Sequence, residues 1–369
     1  MQYTEYELGE LLPFEQPTAY IVKSTDYSDA YATPVLTAGK SFILGKTNET
    51  DGIFDQLPVI IFDDFTTATQ FVNFRFKVKS SAMKILHINT DLVIPKYIFY
   101  RLQIIQFDHS THKRYWIQSY SKIKVLIPPL DEQFRIVARI EEFFSELDKA
   151  VDTLKTTKEQ LAVYRQAVLK DAFSNIAEYI PFGKITSSRL GKMLDKQKNV
   201  GVPCKYLRNI NVRWFSFDLS DLLDMKIEEK EFEKYTICKN DLVICEGGEP
   251  GRCAVWEKDE TIFYQKALHR VRFTIKAEPR FYMYYLWYIT QSGSINKFYT
   301  GTGIKHLTGQ SLEKIPVPVT DIGEQKRLLE LIEMRLSVCD NIEKAVDAAL
   351  AQADAMRQSI LKQAFEEKI

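Results

Sequence analysis

The chain has 369 residues, and its 49 basic side chains balance 49 acidic ones, so the formal charge at neutral pH is zero. At 45% hydrophobic and 27% charged residues, with only 15 Gly and 13 Pro, it is neither disordered nor low-complexity nor collagen-like. The length exceeds one ordinary core and fits two domains, while the balanced charge weighs against a nucleic-acid binder, which usually carries a basic excess.

In chain order, the N-terminal run MQYTEYELGELLPFEQP is acidic and lacks the basic start and apolar stretch of a signal peptide. Val59 to Phe62 and Asn73 to Lys79 read as strands, being short and β-branched or aromatic. Tyr97 to Ile105 reads as a helix opened by Pro95, with aromatics three and four residues apart. A long helix is predicted from about Asp131 to Phe173, since proline is tolerated before a helix but not inside it. At about 42 residues it would extend roughly 63 Å. Within it Ile140, Leu147, Leu154, Leu161 and Val168 recur every seven residues, with Val137, Phe144 and Val151 alongside, which is a coiled-coil pattern. Asp241 to Cys245 and Val271 to Lys276 read as strands, and Phe281 to Ile289 as a second proline-opened helix. That last run is the longest apolar one and falls short of the roughly 20 residues that span a bilayer. A final helix from about Glu324 to Phe365 carries Ile332, Cys339, Val346, Ala353 and Ile360 in the same phase. The five cysteines (Cys204, Cys238, Cys245, Cys253, Cys339) form no C-x-x-C pair, as expected of a reduced, cytoplasmic protein.

These elements belong to an internal repeat. Glu132-Gln133 recurs as Glu324-Gln325, and RQAVLKDAF (165–173) recurs as RQSILKQAF (357–365), both at an offset of 192 residues. Ile140/Ile332, Glu141/Glu333 and Asp148/Asp340 match at the same offset. Upstream, Gln70…Arg75-Phe-Lys77 resembles Gln265…Arg270-Val-Arg272, and PKYIFYRL (95–102) resembles PRFYMYYL (279–286). The chain is therefore two copies of one unit, a mixed α/β domain followed by a near-constant helix, and the two helices are expected to pair antiparallel.

Motifs of catalysis are not found. Gly39-Lys40-Ser41 and Gly45-Lys46-Thr47 lack the first glycine of a phosphate-binding loop, because Pro34 and Lys40 stand there. Gly247-Gly248-Glu249-Pro250-Gly251 reads as a turn, and the five histidines show no metal-ligand spacing. The reading is a non-catalytic chain without a metal site.

Counting charge by region changes the binder question. Residues 1–120 carry 11 basic and 13 acidic groups, 121–183 carry 9 and 10, 184–310 carry 21 and 15, and 311–369 carry 8 and 11. Basicity is thus concentrated in the second mixed domain, where Lys205, Arg208 and Arg213 lie near Tyr206 and Trp214. Residues two apart on a strand project the same way, so Arg75, Lys77 and Lys79 would form one basic row and Arg270 and Arg272 another, two equivalent contact sites.

The repeat, the proline-containing junctions ending in Glu-Gln (IPPLDEQ and IPVPVTDIGEQ), the heptads and the R-Q-x-[VI]-L-K-x-A-F endings together resemble the specificity subunit of type I restriction–modification enzymes. Phrases such as VIIFDDFTTATQFV, DLVICEGGEPGRCAVW and TGTGIKHLTG resemble its target-recognition domains. The resemblance implies an α+β chain with target-recognition domains at residues 1–127 and 177–317 and paired coiled-coil helices at 128–176 and 318–369. Each domain would read one half of a bipartite double-stranded DNA target. The helices would set the spacer and dock two modification (methyltransferase) subunits, which restriction subunits join. S-adenosylmethionine, ATP and Mg would be held by those partners. Lys205, Arg208 and Arg213 would contact phosphates; Arg75, Lys77, Lys79, Arg270 and Arg272 would contact phosphates or guanine edges. Gln70 and Gln265 are candidates for adenine pairing or for structural bonds, and Lys40, Lys46, Lys113, Arg114, Arg252, Lys266 and Lys305 complete the set. Two rival readings are a specificity subunit of a fused nuclease–methyltransferase and a coiled-coil adaptor that binds only protein.

Overall fold

A computed structural model describes residues 3–37, 41–108, 114–195, 197 and 199–366. The chain divides into two compact units, Met1–Leu154 with Ala348–Ile369, and Lys155–Asp347. Each unit holds one mixed domain and one end of each long helix.

In the first unit the apolar run Val59–Asp63 is buried throughout and lies inside an antiparallel sheet ordered Phe14–Glu15, Met83–Leu86, Val59–Asp63, Thr69–Val72. A second sheet is ordered Ile43–Thr47, Thr33–Leu36, Lys77–Val78, its last pair parallel. In the second unit the sheet Thr186–Leu190, Leu268–Phe273, Leu242–Cys245, Cys253–Val255 has the same order and directions. Its companion sheet is ordered Leu223–Ile227, Val202–Leu207, Ile262–Tyr264, Thr236–Ile237, and the Val202–Leu207 and Ile262–Tyr264 pair is again parallel.

This topology corrects the upstream half of the repeat. Asp63 faces Met83 and Phe62 faces Lys84, as Cys245 faces Leu268 and Ile244 faces His269. Met83–Leu86 is therefore the counterpart of Leu268–Val271, and the Arg75 to Lys79 stretch is not. The predicted Asn73–Lys79 strand shrinks to Lys77–Val78, with Phe76, Lys77 and Val78 all buried. Three consecutive buried residues break the alternation on which the basic row depended. The Val271–Lys276 strand starts earlier and ends earlier, as Leu268–Phe273.

The long helices run Leu130–Ser174 and Ile322–Phe365, each starting one or two residues before the expected position. In the first unit Ile136, Val137, Ile140 and Phe144 of one helix share a core with Leu361 and Ala364 of the other. In the second, Val168, Leu169, Ala172 and Phe173 share a core with Leu328, Leu329, Ile332 and Leu336. Each core thus takes the start of one helix and the end of the other. The helices pack antiparallel, as their ion pairs show: Asp148 meets Arg357 in the first unit, while Lys158 meets Asp347 and Arg165 meets Asp340 in the second. Of the predicted seam, Ile140, Leu161, Val168, Ile332, Cys339, Val346 and Ala353 are buried, and Leu147, Leu154 and Ile360 are half-buried.

The EQ junction has a definite job. The Gln133 side chain, fully buried, accepts from the N–H of Ile94 (2.8 Å) and donates to the carbonyls of Leu92 (3.0 Å) and Pro128 (2.9 Å). Ile94 is the residue before the helix Pro95–Leu102, so the glutamine satisfies a helix-start donor that the long helix would otherwise cover. Gln325 repeats the arrangement, accepting from Glu278 N–H (2.9 Å) ahead of the helix Pro279–Gln291 and donating to Thr320 O (2.9 Å). No helix among the described residues is long and apolar enough to cross a membrane.

Candidate nucleic-acid interface

In the second unit, backbone bonds stitch together loops at one end of the sheets. Gln265 N–H donates to Leu207 O (3.1 Å), Glu246 N–H to Ala267 O (3.0 Å), and Leu307 N–H to Glu246 O (2.7 Å). These bonds gather the turn after Leu207, the Glu246–Arg252 hairpin, the Gln265–Ala267 turn and the 299–307 loop. Glycines permit the close fit. Gly248 and Gly251 adopt φ of 77° and 92°, and a Cβ on Gly301 would meet Ile304 O at 2.3 Å.

Five predicted contacts converge there. Arg252 donates to Asn209 O (2.9 Å) and pairs with Glu249 (2.7 Å), which also accepts from the Trp214 indole (2.9 Å). Arg208 pairs with Asp221 (2.6 Å), and its side chain is about one-fifth exposed. Lys266 is exposed on its turn, and Lys305, exposed, lies 5.9 Å from the Tyr299 ring centre. Gln265 is half-buried in the same cluster. Arg213 (exposed) is on the adjoining hairpin, 3.7 Å from Asp218, and Lys205 pairs with Asp224 (2.8 Å) on an exposed strand face. Sequence reasoning missed Ile304, which is 74% exposed at the tip of the loop beside Lys305. The signal available was an apolar residue between Gly303 and Lys305 in a glycine-rich loop.

The first unit repeats the stitching bond for bond. Lys79 N–H donates to Leu36 O (2.8 Å), Asp64 N–H to Ala82 O (3.4 Å), and Tyr115 N–H to Asp64 O (2.9 Å). Lys79 therefore holds the place of Gln265, and Arg114 that of His306; both are exposed. Phe65, 48% exposed in the Asp63–Ala68 turn, is a further residue that sequence reasoning missed. Lys40 and Lys113 lie outside the described residues. Lys46 is half-buried on its strand, Gln70 is exposed on the edge strand Thr69–Val72 and not at the Gln265 position, and Arg75 is exposed.

Three predicted contacts are spent internally. Lys77 is buried, pairing with Glu49 (3.2 Å) and donating to the carbonyls of Asp51 and Gly52. Arg270, 7% exposed, donates to the carbonyls of Glu233, Lys234 and Thr236, the open carbonyl end of the short helix Phe232–Tyr235. Arg272 is locked to Asp241 (2.7 and 2.9 Å), whose carboxylate raises the guanidinium pKa further above its ordinary value. Lys77, Arg270 and Arg272 are thus carbonyl and carboxylate clamps, while Arg75 and Lys79 stay exposed.

Comparison with known proteins agrees with this architecture. A family model described as "Type I restriction modification DNA specificity domain" matches residues 208–352, starting at Arg208 of the loop cluster. The Type I restriction enzyme EcoR124I/EcoR124II specificity subunit of Escherichia coli is 31% identical over 95% of this chain and 90% of its own length. The EcoKI specificity subunit of Escherichia coli (strain K12) is 24% identical over 67% of this chain and 58% of its own. Among solved structures, a chain described under "Structural basis underlying complex assembly and conformational transition of the type I R-M system" superimposes with a TM-score of 0.73 at 15% identity, covering 100% of this chain and 98% of its own. The HsdS subunit from Thermoanaerobacter tengcongensis gives 0.55 at 14% identity, covering 100% and 97%. The role is that of DNA sequence specificity rather than catalysis, and the chain belongs to the family of type I restriction enzyme specificity subunits.

Proposed function

We propose that residues 1–127 and 177–317 each read one half of a bipartite double-stranded DNA target through the stitched loop clusters. The observation that carries this reading is the recurrence of the same three backbone bonds in both domains, which presents two copies of one loop surface. In the second domain Arg208, Arg213, Arg252, Lys266 and Lys305 supply phosphate and base contacts, with Gln265 and Ile304 at base edges. In the first, Lys79, Arg114, Lys40 and Lys113 take those roles, while Lys77, Arg270 and Arg272 shape the domains from inside. The paired helices set the spacer between half-sites and dock two modification subunits. Restriction subunits join that core, and S-adenosylmethionine, ATP and Mg belong to these partners.

The test uses the chain assembled with its modification subunits and measures DNA affinity across a salt series. Lys305→Ala is expected to lower the salt slope by about one and to weaken binding. Unchanged affinity in Lys305→Ala, Arg208→Ala and Lys79→Ala alike would sink the loop-cluster reading.

A further inference from the structure

The first unit contains an open cleft of about 680 Å³ between the helix Pro95–Leu102 and the long helices. One wall is Lys96, Phe99, Tyr100 and Gln103, and Phe144 and Arg357 form part of the rest, with the Arg357 guanidinium 4.5 Å from the Phe144 ring centre. By the repeat, those four wall positions correspond to Arg280, Met283, Tyr284 and Trp287 of the second unit. The ionic frame corresponds too: Lys96–Glu141 and Arg357–Asp148 in the first unit, Arg280–Glu333 (2.6 Å) and Arg165–Asp340 (2.7 Å) in the second.

What differs is the occupant. In the second unit Phe215 is stacked on Tyr284 (ring centres 5.0 Å apart) and set edge-on to Trp287 (4.9 Å). Phe215 sits in the turn of a tight hairpin, where Val212–Arg213 pairs with Ser216–Phe217, and has a φ of 68° that a bulky residue rarely adopts. The ring contacts hold it there. That hairpin belongs to the 15 residues joining Val202–Leu207 to Leu223–Ile227, whereas only six join Thr33–Leu36 to Ile43–Thr47 in the first unit. The first unit thus keeps one of the two rings, Tyr100 for Tyr284, and carries Phe99 and Gln103 where the second has Met283 and Trp287, while among its described residues no corresponding hairpin fills the cleft.

We propose that this cleft receives an aromatic side chain from a partner protein chain, doing between chains what Phe215 does within the second unit. A protein is favoured over nucleic acid by charge. Lys96 and Arg357 are paired as above and Lys149 is paired with Glu146 (2.8 Å), while Asp152 adds a carboxylate to the lining, so no excess positive charge faces a phosphate. The inference rests on the reading that modification subunits dock on this chain.

The full chain is mixed with its modification subunit, and affinity is measured by calorimetry for wild type, Ser145→Trp and Ser337→Trp. Ser145 is exposed on the cleft lining, and Ser337 is its counterpart in the repeat. Ser145→Trp is expected to weaken association at least tenfold and Ser337→Trp less than about twofold, with both melting as wild type does. Hydrogen exchange at residues 96–103 is expected to slow on adding the modification subunit alone. Equal losses from both variants, or protection of 96–103 only on adding DNA, would overturn the aromatic-cleft proposal. A wild-type complex that forms without protecting 96–103 would overturn it too while leaving the docking reading intact; absence of any wild-type complex would remove both.

Discussion

Lys84 and His269 occupy one position of the repeat and do one job with different chemistry. Lys84 pairs with Asp64 (3.2 Å), both almost fully buried, and Asp64 also accepts from Trp116 N–H (2.9 Å). His269 donates from Nε2 to Leu307 O (2.9 Å). Each holds the loop segment that follows the proposed contact residue Arg114 or Lys305. Removing one member of a buried ion pair costs about 3–5 kcal/mol, so Lys84→Met is expected to lower stability by that order in urea unfolding, with Lys84→Met/Asp64→Leu recovering most of it. Burial lowers the His269 pKa below its ordinary 6.5, because the imidazolium is poorly solvated there. The unfolded chain binds the proton more readily, so this contribution is complete above pH 6.5 and is lost as pH falls through and below it. Melting temperature against pH is therefore expected to fall more steeply below 6.5 in wild type than in His269→Asn. Arg270→Ala is expected to destabilise the second unit without altering the salt slope of DNA binding, since its guanidinium already serves backbone carbonyls. Residue type at these positions was legible in the sequence. Direction was not: Arg270 and Lys305 are equally basic on paper, and the fold alone turns one inward.

Among the elements, the helices were the most legible. Their seven-residue period and proline junctions depend on local spacing, and the observed helices begin within two residues of the expected starts. The strands were less so. Lys77 lies in a stretch that alternates basic and apolar residues, yet it is buried because Glu49 and two carbonyls meet its ammonium, and those partners are 25 or more residues away. The upstream register of the repeat was misjudged for the same reason, since sequence similarity favoured charged letters and strand pairing favoured Met83–Leu86. The glutamines of the EQ junctions are expected to matter more than the surface ion pairs. Gln133→Ala or Gln325→Ala leaves a buried helix-start N–H and carbonyls without a partner, at about 1–3 kcal/mol each, with faster amide exchange at Ile94 or Glu278. Asp148→Ala removes a pair whose members are more than a third exposed, and is expected to change stability by less than about 1 kcal/mol.

For the whole molecule, tandem duplication, α+β composition and the absence of a catalytic motif followed from the sequence by itself, because a repeat of 192 residues and a heptad seam are patterns along the chain. The neutral total charge was uninformative; its regional distribution pointed to the second domain. Tertiary structure alone decided which basic residues share a surface. Gln265, Lys266, Arg208, Arg252 and Lys305 come from four separated segments, and the bonds that join them run between backbone groups, which carry no residue-specific letter. The same holds for the aromatic cleft: its ion pairs and the ring of Tyr100 are repeated in the sequence, but whether another ring packs there depends on the length of a connection and on where its turn folds.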